Sequence, residues 1–378
     1  MTTTIAIISS QAFSLVNFRG PLIRELAAQG IGIVALAPDY TPDVRSQVQE
    51  LGAQTLDYSL NRAGTNPMRD VVDMLRLARL LRQIRPQVAL GYFAKPVVFG
   101  TIAAWLARVP LRIAMIEGLG YAFMRDETAQ SIGRKLLRGI ASGLYRFALG
   151  KAGRVILLNQ DDIEDLCAAG VLDASKAILI RGIGVDLDAF SPVPAVTEPV
   201  TFVLVARLLR EKGVYDFVEA ARRIHVSNPD ARFVLVGDRD ANPGSVSTEQ
   251  LTAWQSEGVI RWTGSVPDVR PHLAAASVFV LPSYYREGVP RSTQEAMAMG
   301  RPVITTDAPG CRETVDEGVN GFLVPPRSPG ALVQAMQRFI AQPSLITTMG
   351  AASRRMAEER FDVRVLNRQL LAAIAPDR

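Results

Sequence analysis

Cysteine and histidine are scarce in this 378-residue chain, which contains only Cys167, Cys311, His225 and His272 of these two types. Two isolated cysteines are too few for a disulfide framework, and neither lies in a Cys-x-x-Cys or other metal-ligand spacing. The sequence therefore excludes a disulfide-stabilised scaffold and predicts no metal site. A reducing compartment is the favoured environment.

Long apolar runs are also missing. The most apolar stretch, residues 96–107, has 12 residues between Lys95 and Arg108, whereas a helix needs about 20 to span a bilayer. The N-terminal sequence MTTTIAIISSQAF has no basic segment before its short apolar run and no cleavage site after a long one, so we do not interpret it as a signal peptide. The sequence predicts a cytoplasmic protein in which nothing crosses a membrane.

The chain has no internal repeats or low-complexity tracts, and its composition is ordinary, with 48% hydrophobic and 21% charged residues. This excludes disordered, collagen-like and coiled-coil chains, and at about 100–200 residues per domain the length suggests two domains. Lys and Arg outnumber Asp and Glu by 19 to 10 in residues 1–155, but only by 21 to 20 in residues 191–378. The basic first half suits an anionic partner, which can be nucleic acid, a membrane surface or a substrate.

Short apolar runs rich in β-branched residues alternate with segments of helical period, which is typical of βαβ units and a parallel sheet. The predicted strands are Thr4–Ser9, Gly32–Ala37, Val88–Tyr92, Arg112–Ile116, Val155–Leu158, Ala177–Ile180, Val200–Val205, Arg232–Val236, Ile260–Thr263, Val278–Leu281 and Pro302–Thr305. The segments between them are predicted to be helices, for example Phe18–Ala28, Met68–Ile84, Ile132–Leu149, Tyr215–Ser227, Ser292–Ala298 and Leu332–Ile340, and Val363–Ile374 is predicted to be a terminal helix.

This alternation predicts an α/β protein with two doubly wound domains. The segment FSPVPAVTEPV, residues 190–200, has three prolines and no helical period, so we interpret it as the linker. The first domain then spans residues 1–189 and the second residues 201–360, with a C-terminal helix in residues 361–378. Ligands of such sheets bind at the carboxyl ends of the strands, so we expect the functional residues on loops that follow strands, in a cleft between the domains.

The most informative segment is residues 281–306, LPSYYREGVPRSTQEAMAMGRPVITT. Pro290 is expected to be the first residue of a helix that stops at Gly300, and a helix start offers N–H groups and a positive dipole end to a phosphate or a sugar oxygen. Glu287 lies just before this helix and Glu295 inside it, so both can reach one ligand. The alternative is that Glu287 caps the helix and Glu295 is an ordinary surface residue.

The string Glu-Gly-x-Pro, followed after four residues by Glu-Ala-Met-Ala-x-Gly-x-Pro-Val-Ile, resembles the donor-sugar motif of the retaining glycosyltransferases of family 4. That family has two facing Rossmann-like domains with a cleft between them, the GT-B fold. Further strings similar to the family are VLVARLLREKG (203–213), FVLVG (233–237), IRWTG (260–264) and EGVNGFLVP (317–325). The resemblance covers most of residues 1–360 and is most specific from 200 to 325.

The resemblance implies a role for each residue of the donor motif. Glu295 would bind the ribose hydroxyls of a nucleotide, which a carboxylate accepts in bidentate fashion. Glu287 would contact hydroxyls of the donor sugar. Gly288, Val289 and Pro290 would face the sugar and the diphosphate, in part through backbone N–H groups.

Two cations complete the implied donor site. Arg207 and Lys212 would neutralise the charge that develops on the leaving nucleoside diphosphate, although lysine and arginine at such positions are more often surface charges. With these cations the resemblance implies a metal-independent reaction without a cofactor, in which the nucleotide-sugar is a substrate. The Asp238-Arg239-Asp240 string is similar to a metal-binding Asp-x-Asp motif, but we interpret it as a loop.

The first half resembles a narrower subgroup, which adds a sugar to an undecaprenyl-diphosphate-linked saccharide in glycan, capsule or O-antigen assembly. The similar strings are SLVNFRGPLIREL (14–26), NRAGTNPMRD (61–70), GYFAKPVVFGTIAAWLARVP (91–110) and EGLGYAF (117–123). Its excess positive charge suits an anionic lipid carrier and an anionic membrane surface. We therefore expect peripheral association with the inner face of the cell membrane.

Residues 132–151, IGRKLLRGIASGLYRFALGK, form a helical pattern that allows two interpretations. One stripe holds the apolar residues Ile132, Leu136, Leu137, Ile140, Leu144, Phe147 and Ala148, with Arg134, Lys135, Arg138 and Arg146 elsewhere. Such a basic amphipathic helix can lie in a membrane interface. The same stripe can equally pack on the domain's own sheet.

Relatives often present a histidine from the first domain to the donor sugar, but both histidines here lie in the second half. Glu117, at the end of a predicted strand, is the candidate to accept the proton of the acceptor hydroxyl; the departing phosphate oxygen is the alternative proton acceptor. Asn17, Arg19 and Lys95 are candidate contacts for the acceptor diphosphate, and surface residues of no special role are the alternative. The chain lacks a third glycine after Gly118-Leu-Gly120 and any nucleic-acid recognition motif, so a dehydrogenase and a nucleic-acid-binding protein are disfavoured.

The sequence thus predicts a retaining glycosyltransferase with a nucleotide-sugar donor, of which a UDP-sugar is favoured, and a lipid-linked saccharide acceptor. Two alternatives stay open. A UDP-sugar 2-epimerase shares the fold and would need no acceptor. A two-lobed ligand-binding protein would close on its ligand without chemistry.

Overall fold

The structure is a computed structural model that describes residues 3–61, 66–120, 132–240, 242 and 244–375, and for residues 132–138 it describes the helical backbone alone. It divides into two compact units. Unit 1 comprises Met1–Ile183 and Arg364–Arg378, and unit 2 comprises Gly184–Val363.

Unit 1 is built on parallel strands β1 (Thr4–Ile8), β2 (Gly32–Ala37), β3 (Gln54–Asp57), β4 (Val88–Tyr92), β5 (Leu111–Ile116), β6 (Arg154–Leu157) and β7 (Ala177–Leu179). Within the described residues their order in the sheet is β3-β2-β1-β4-β5-β6-β7. The strands β1, β2 and β4 are almost entirely apolar and buried, as expected for a parallel sheet covered by helices. The strand order reverses between β1 and β4, and ligands of such sheets bind at this switch point.

The helices of unit 1 up to residue 183 are α1 (Phe13–Asn17), α2 (Gly20–Ala28), α3 (Pro42–Glu50), α4 (Pro67–Ile84), α5 (Thr101–Leu106), α6 (Ile132–Lys151) and α7 (Gln160–Ala168). The side chain of the N-cap Asn66 accepts hydrogen bonds from the N–H groups of Met68 and Arg69 in the first turn of α4, which satisfies two otherwise free donors. Helix α5 packs between α4 and α6, because right-handed crossovers place these three helices on one face of the sheet.

Unit 2 has a second parallel sheet, formed by β8 (Thr201–Val205), β9 (Arg232–Val236), β10 (Arg261–Trp262), β11 (Val278–Leu281), β12 (Val303–Thr306) and β13 (Gly321–Val324). Its order within the described residues is β10-β9-β8-β11-β12-β13, so the switch point lies between β8 and β11. The remaining helices are α8 (Val214–Ser227), α9 (Thr248–Ser256), α10 (Arg270–Ala274), α11 (Arg291–Ala298), α12 (Pro329–Ala341), α13 (Ser344–Arg360) and α14 (Val363–Ile374).

The two parallel-sheet, Rossmann-like domains confirm the predicted fold class. Most predicted strands and helices are present with slightly shifted ends, but β3 and β13 were missed. The sequence of β3, QTLD, is not an apolar run, and β13 begins with a glycine, which is depleted in strands. The helix predicted from Phe18 to Ala28 is α2, which begins two residues later at Gly20 with Pro21 in its first turn. The short helix α1, which ends at Asn17 just before it, was not predicted.

The boundary between the units differs from the predicted linker. The chain leaves unit 1 at Ile183, and residues 190–200 belong to unit 2. Two buried or half-buried guanidinium groups hold this segment there: Arg354 donates to the carbonyl oxygens of Leu187 and Phe190 at 3.4 and 3.0 Å, and Arg301 to that of Val193 at 3.1 Å. The proline-rich sequence therefore marks an extended segment packed on unit 2, which its local composition alone does not distinguish from a linker.

The C-terminal helix α14 has the predicted bounds, and the structure assigns nearly all of it to unit 1. Arg154 on β6 donates to the carbonyl oxygens of Ala373 and Ala375 at 2.7 and 2.6 Å. These carbonyls lie at the end of the helix, where a cation is also favoured by the helix dipole. The chain therefore begins and ends in the same unit.

Helix α6 has a buried side and an exposed side. Tyr145, Ala148 and Leu149 pack in the core beneath it, whereas Leu144 and Phe147 are 39% and 48% exposed. Of the predicted apolar stripe, Ala148 therefore packs in the domain core, whereas Leu144 and Phe147 reach the surface. The side chains of the stripe in residues 132–138 lie outside the described part of the structure. No helix in the described part of the chain combines the length and apolarity needed to span a membrane.

Candidate active site

The loops that follow β8 and β11 lie side by side at the switch point of the second sheet, because these strands are neighbours. The first loop spans residues 206–213 and the second residues 282–290. The backbone N–H groups of Tyr284 and Tyr285 donate to the carbonyl oxygen of Glu211 at 2.9 and 3.1 Å. The two loops therefore form one hydrogen-bonded structure at the edge of the sheet where ligands bind.

An ion pair between Lys212 and Glu287 joins these two loops. The Nζ atom of Lys212 lies 2.5 Å from Oε1 of Glu287, and the two side chains are only 12% and 10% exposed. The hydroxyl of Ser283 donates to the same carboxylate oxygen at 2.9 Å. Because a buried ion pair is stable only when its charges also have hydrogen-bond partners, the serine is part of the site.

Two glycines allow the close approach that the site requires. Gly213 has a φ of +76°, and a Cβ added there would overlap the carbonyl oxygen of Pro282 on the second loop. Gly310 has the same φ of +76°, and a Cβ added there would overlap the carbonyl oxygens of Glu287 and Gly288. Both positions therefore accept only glycine without displacing the loop that holds Glu287.

Helix α11 begins directly after the second loop. Pro290 is its N-cap, with φ −60° and ψ 122°, so the prediction that Pro290 is the first helical residue was wrong by one position. The side chain of Gln294 donates to the carbonyl oxygen of Val289 at 3.1 Å and holds the loop against the helix. Gly288 and Val289 thus lie in the turn immediately before the positive end of α11, where oxygen atoms of an anionic ligand are favoured.

Glu295 lies one turn inside α11, on the side that faces away from bulk water. Its carboxylate accepts a hydrogen bond from Nε of Arg291 at 2.8 Å, and its side chain is 13% exposed. Burial raises the pKa of Glu295, although Arg291 acts in the opposite direction. A buried carboxylate with one cationic partner keeps lone pairs for hydroxyl donors, which suits the ribose contact implied by the resemblance.

Arg207 lies in the first loop, and its guanidinium is half-exposed. It donates to Oδ2 of Asp240 at 3.0 Å, while Oδ1 of Asp240 accepts the N–H of Asn242 at 2.9 Å. The Asp-x-Asp string therefore is a loop, as predicted, and its last carboxylate holds Arg207. Among the described residues, no cluster of three or more His, Cys, Asp or Glu side chains is arranged to hold a metal ion.

The candidate residues of unit 1 are arranged differently from expectation. Arg19 is 2% exposed and forms an ion pair with Glu117 at the end of β5. Its guanidinium stacks on the ring of Tyr92, 4.6 Å from the centroid, and Tyr92 shares a hydrogen bond of 2.7 Å with the hydroxyl of Ser14. Arg19 is therefore an interior partner of Glu117, and its contact with the acceptor diphosphate stays a prediction.

Lys95 and Asn17, the other two candidate acceptor contacts of unit 1, are more exposed than Arg19. Lys95 follows β4 and donates to Oδ1 of Asp70 on α4 at 2.6 Å, with its side chain 17% exposed. Asn17 ends α1 and is exposed. Of the three predicted diphosphate contacts, Asn17 is thus the most accessible, Lys95 is partly covered and Arg19 is buried.

Ser283, Asp240 and Gly310 also belong to the site, although they were not predicted from the sequence. Ser283 lies within the segment 281–306, two residues after the end of β11 and four residues before Glu287. Asp240 was considered only as part of a string similar to a metal-binding motif. Gly310 lies in a different loop, and no local pattern shows that its backbone touches that of Glu287.

Two Rossmann-like domains are the architecture of the GT-B fold, and here a lysine–glutamate pair and an arginine lie at the carboxyl edge of the second sheet. The HepE protein of Anabaena, solved in complex with UDP-glucose, has this fold, with a TM-score of 0.75 at 18% identity over 98% of each chain. The sequence profile described as "Glycosyl transferases group 1" matches residues 199–342, and that described as "Glycosyl transferase 4-like domain" matches residues 18–181.

Two enzymes are similar in sequence to this protein along most of its length. The N,N'-diacetylbacillosaminyl-diphospho-undecaprenol alpha-1,3-N-acetylgalactosaminyltransferase of Campylobacter jejuni is 30% identical over 334 residues, 84% of each chain. The UDP-Gal:alpha-D-GlcNAc-diphosphoundecaprenol alpha-1,3-galactosyltransferase of Escherichia coli is 26% identical over 78% of this chain and 77% of its own. The chain therefore belongs to the glycosyltransferase family that includes the Campylobacter enzyme. This confirms the predicted enzyme class, a glycosyltransferase.

Proposed function

We propose that the protein is a retaining glycosyltransferase that moves a hexose or N-acetylhexosamine from a UDP-sugar to a lipid-diphosphate-linked saccharide during assembly of a cell-surface glycan. The observation that carries the proposal is the buried Lys212–Glu287 pair beside Arg207 at the switch point of the second sheet. The acceptor class is supported by the names of the Campylobacter and Escherichia relatives, both of which act on diphospho-undecaprenol saccharides.

In this proposal the donor binds to unit 2. Glu287 accepts hydroxyls of the donor sugar through its carboxylate, which Lys212 and Ser283 hold in place. The turn of Gly288 and Val289 places the positive end of α11 against the diphosphate. Ser283 fixes the carboxylate of Glu287, so that it is oriented before the sugar arrives.

Cations of the first loop stabilise the leaving group. As the bond from the sugar to the diphosphate breaks, negative charge develops on the departing oxygen, and Lys212 and Arg207 lie on the loop that faces it. Preorganised charges of this kind lower the barrier because they need no rearrangement during the reaction. They take the place of a divalent metal, so we expect full activity in the presence of EDTA.

Unit 1 binds the acceptor in this proposal. Glu117 at the end of β5 is held by Arg19, and its carboxylate accepts a hydrogen bond from the attacking hydroxyl. Substitution occurs on the face from which the diphosphate departs, and the departing phosphate oxygen takes the proton. Asn17 and Lys95 then serve the acceptor's own diphosphate.

The test is a mass-spectrometric assay of the purified protein with a panel of UDP- and GDP-sugars and short polyprenyl-diphosphate saccharides. A product heavier by one hexose or N-acetylhexosamine, formed only when donor and lipid acceptor are both present, is the expected result. Conversion of the donor without an acceptor would show a 2-epimerase instead. Binding of UDP without any turnover would point to a ligand-binding protein.

Glu295→Ala is expected to weaken UDP binding by about 10- to 100-fold, because a charge-assisted hydrogen bond to the ribose is lost. Calorimetric titration with UDP and with 2′-deoxy- and 3′-deoxy-UDP measures this effect. The wild type should discriminate against at least one deoxy analogue, and the variant should not. Glu257→Ala, which removes an exposed carboxylate paired with Arg222, is the control and should leave all three affinities unchanged.

An apolar and basic surface of unit 1 supports membrane association. Of the twelve large apolar side chains that are exposed in the described residues, eight lie on α4, α5 and α6, the helices that share one face of the first sheet. They are Met68, Val71, Val72, Leu75, Trp105, Ile140, Leu144 and Phe147. The exposed charges of α4 are cationic, because its carboxylates Asp70 and Asp73 are buried. Together these features suit an anionic lipid surface.

Phe147→Glu and Leu75→Glu are expected to reduce binding to phosphatidylglycerol vesicles by at least about tenfold each, since a buried apolar side chain contributes roughly 1.5–3 kcal/mol. Co-sedimentation with vesicles at low and moderate salt measures the binding. The matched control is Val226→Glu on α8 of unit 2, where an equally apolar residue is 87% exposed. Equal binding of all three variants would contradict a lipid contact on this helix face.

A further inference from the structure

A small pocket opens at the carboxyl edge of the first sheet, between the ends of β3 and β4 and the helix α4. It is lined by Tyr58, Ser59, Asp73, Lys95 and Phe99, together with neighbouring apolar residues, and its cavity volume is about 10 Å³. That volume accommodates one hydroxyl- or water-sized group. Because β4 flanks the switch point of this sheet, the pocket lies on the edge where ligands of the fold bind.

Asp73 is one of the residues that line this pocket. The residue is 3% exposed, and its Oδ1 atom accepts a hydrogen bond from the hydroxyl of Ser59 at 2.6 Å. Two exposed arginines form longer ion pairs with the carboxylate, Arg76 at 3.6 Å from Oδ1 and Arg69 at 4.0 Å from Oδ2. The Oδ2 atom is buried and has no hydrogen-bond partner among the described residues. A buried carboxylate oxygen without a hydrogen-bond donor costs free energy, so a donor supplied by a ligand would stabilise it.

The neighbouring polar groups have other partners. Lys95 donates to Oδ1 of Asp70 at 2.6 Å, and the hydroxyl of Tyr58 donates to the carbonyl oxygen of Ser9 at 2.8 Å. The Tyr58 and Ser59 hydroxyls thus hold the walls of the pocket in place, while the ring of Phe99 provides an apolar side. One acceptor atom, fixed between rigid walls, can select for a single donor group of a ligand.

We propose that this pocket binds one hydrogen-bond donor of the acceptor saccharide, a sugar hydroxyl or the N–H of an acetamido group, with Oδ2 of Asp73 as the acceptor atom. Ser59 is a positioning residue that orients the carboxylate. The inference rests on the proposed function, which supplies a saccharide ligand for unit 1, and it names the part of that ligand which the first domain recognises. The chemistry fits because a carboxylate is an acceptor-only group and the cavity volume of about 10 Å³ matches one such donor group.

The test measures binding of a short polyprenyl-diphosphate saccharide to the protein without the donor, and the kinetics with it. Asp73→Asn is expected to weaken acceptor binding and raise the acceptor KM by about 10- to 100-fold, with the donor KM unchanged. A second measurement uses a panel of acceptors that each lack one hydroxyl or acetamido group. The wild type should bind one of them about 10- to 100-fold more weakly than the complete acceptor. The Asp73→Asn variant should bind this analogue and the complete acceptor equally well.

Controls separate this role from a structural one. Asp57→Asn changes an exposed aspartate at the end of the neighbouring strand, paired with Arg45, and should leave acceptor binding intact. If Asp73→Asn does not fold, Ser59→Ala replaces it and should raise the acceptor KM several-fold with an unchanged thermal transition. Unchanged acceptor binding in the folded variant would mean that the pocket holds only water, and this result would overturn the inference. A change in the donor KM in place of the acceptor KM would also overturn it.

Neither result would affect the proposed function, because the wild-type protein would still transfer the sugar. The proposed function fails only if the wild-type protein neither binds nor extends the acceptor.

Discussion

Lys212→Met is expected to lower kcat for sugar transfer by about 10²- to 10³-fold, the effect of removing one preorganised stabilising group from a transition state. The same change leaves Glu287 buried beside Ser283 without its cation, so the thermal transition of the protein should fall as well. Steady-state kinetics with saturating acceptor and a thermal unfolding scan measure the two effects. The loss of activity must persist at temperatures where the variant is fully folded.

The double variant Lys212→Met/Glu287→Gln separates catalysis from stability. It removes both charges of the pair, so most of the lost stability should return, because no unpaired buried charge remains. Activity should not return, since neither the leaving group nor the donor sugar regains its contact. Lys176→Met, which removes a lysine of unit 1 that donates to a main-chain carbonyl, is the control for loss of a lysine. Recovery of transfer in the double variant would show that the pair serves folding alone.

Gly310→Ala is the second variant with a large expected effect. Its φ of +76° costs an alanine roughly 1–2 kcal/mol, and the added methyl would overlap the backbone of Glu287 and Gly288, which adds about 1–3 kcal/mol. The loop can relieve this contact only by moving Glu287. We therefore expect both a lower thermal transition and a loss of transfer of at least about 10²-fold.

Gly318→Ala provides a matched control for this prediction. Gly318 lies in the same unit with a φ of +74°, but a Cβ added there has no heavy atom within 4 Å. The Gly318→Ala variant therefore has the conformational cost of a positive φ without the steric overlap. Its transfer activity should stay close to that of the wild type. If the two variants lost activity equally, contact of Gly310 with the donor loop would not be the cause.

Local patterns predicted the fold well where burial is uniform. The strands β2 and β4 are apolar runs in a sheet covered on both faces, and their bounds were predicted without error. The polar edge strand β3 has no such run, since pairing with β2 rather than burial makes it a strand. Local sequence patterns also could not predict the boundary at Ile183. Residues 187–193 are held in unit 2 by the guanidinium groups of Arg301 and Arg354, which lie far along the chain.

The candidate site was predictable in its residue types and not in its pairings. The spacing of Glu287 and Glu295 around a helix start indicated two ligand-facing carboxylates, and the resemblance added Arg207 and Lys212. That Lys212 reaches Glu287 depends on the order of β8 and β11 in the sheet, which separates these residues by 75 positions in sequence and joins them in space. The burial of Arg19 was not predictable for a related reason, because its stacking on Tyr92 and its ion pair with Glu117 depend on residues at the ends of two strands, β4 and β5.

The helix α14 belongs to unit 1 although it is synthesised after unit 2. Residues of α14 pack in unit 1, where Arg154 holds the carbonyl oxygens of Ala373 and Ala375, yet all of unit 2 is synthesised in between. Domains otherwise tend to fold in order as they emerge. Here the first domain stays incomplete at β6 until translation has passed residue 364, so a nascent or truncated chain exposes an unfinished surface to proteases and chaperones. Only a chain that has already made unit 2 can complete unit 1.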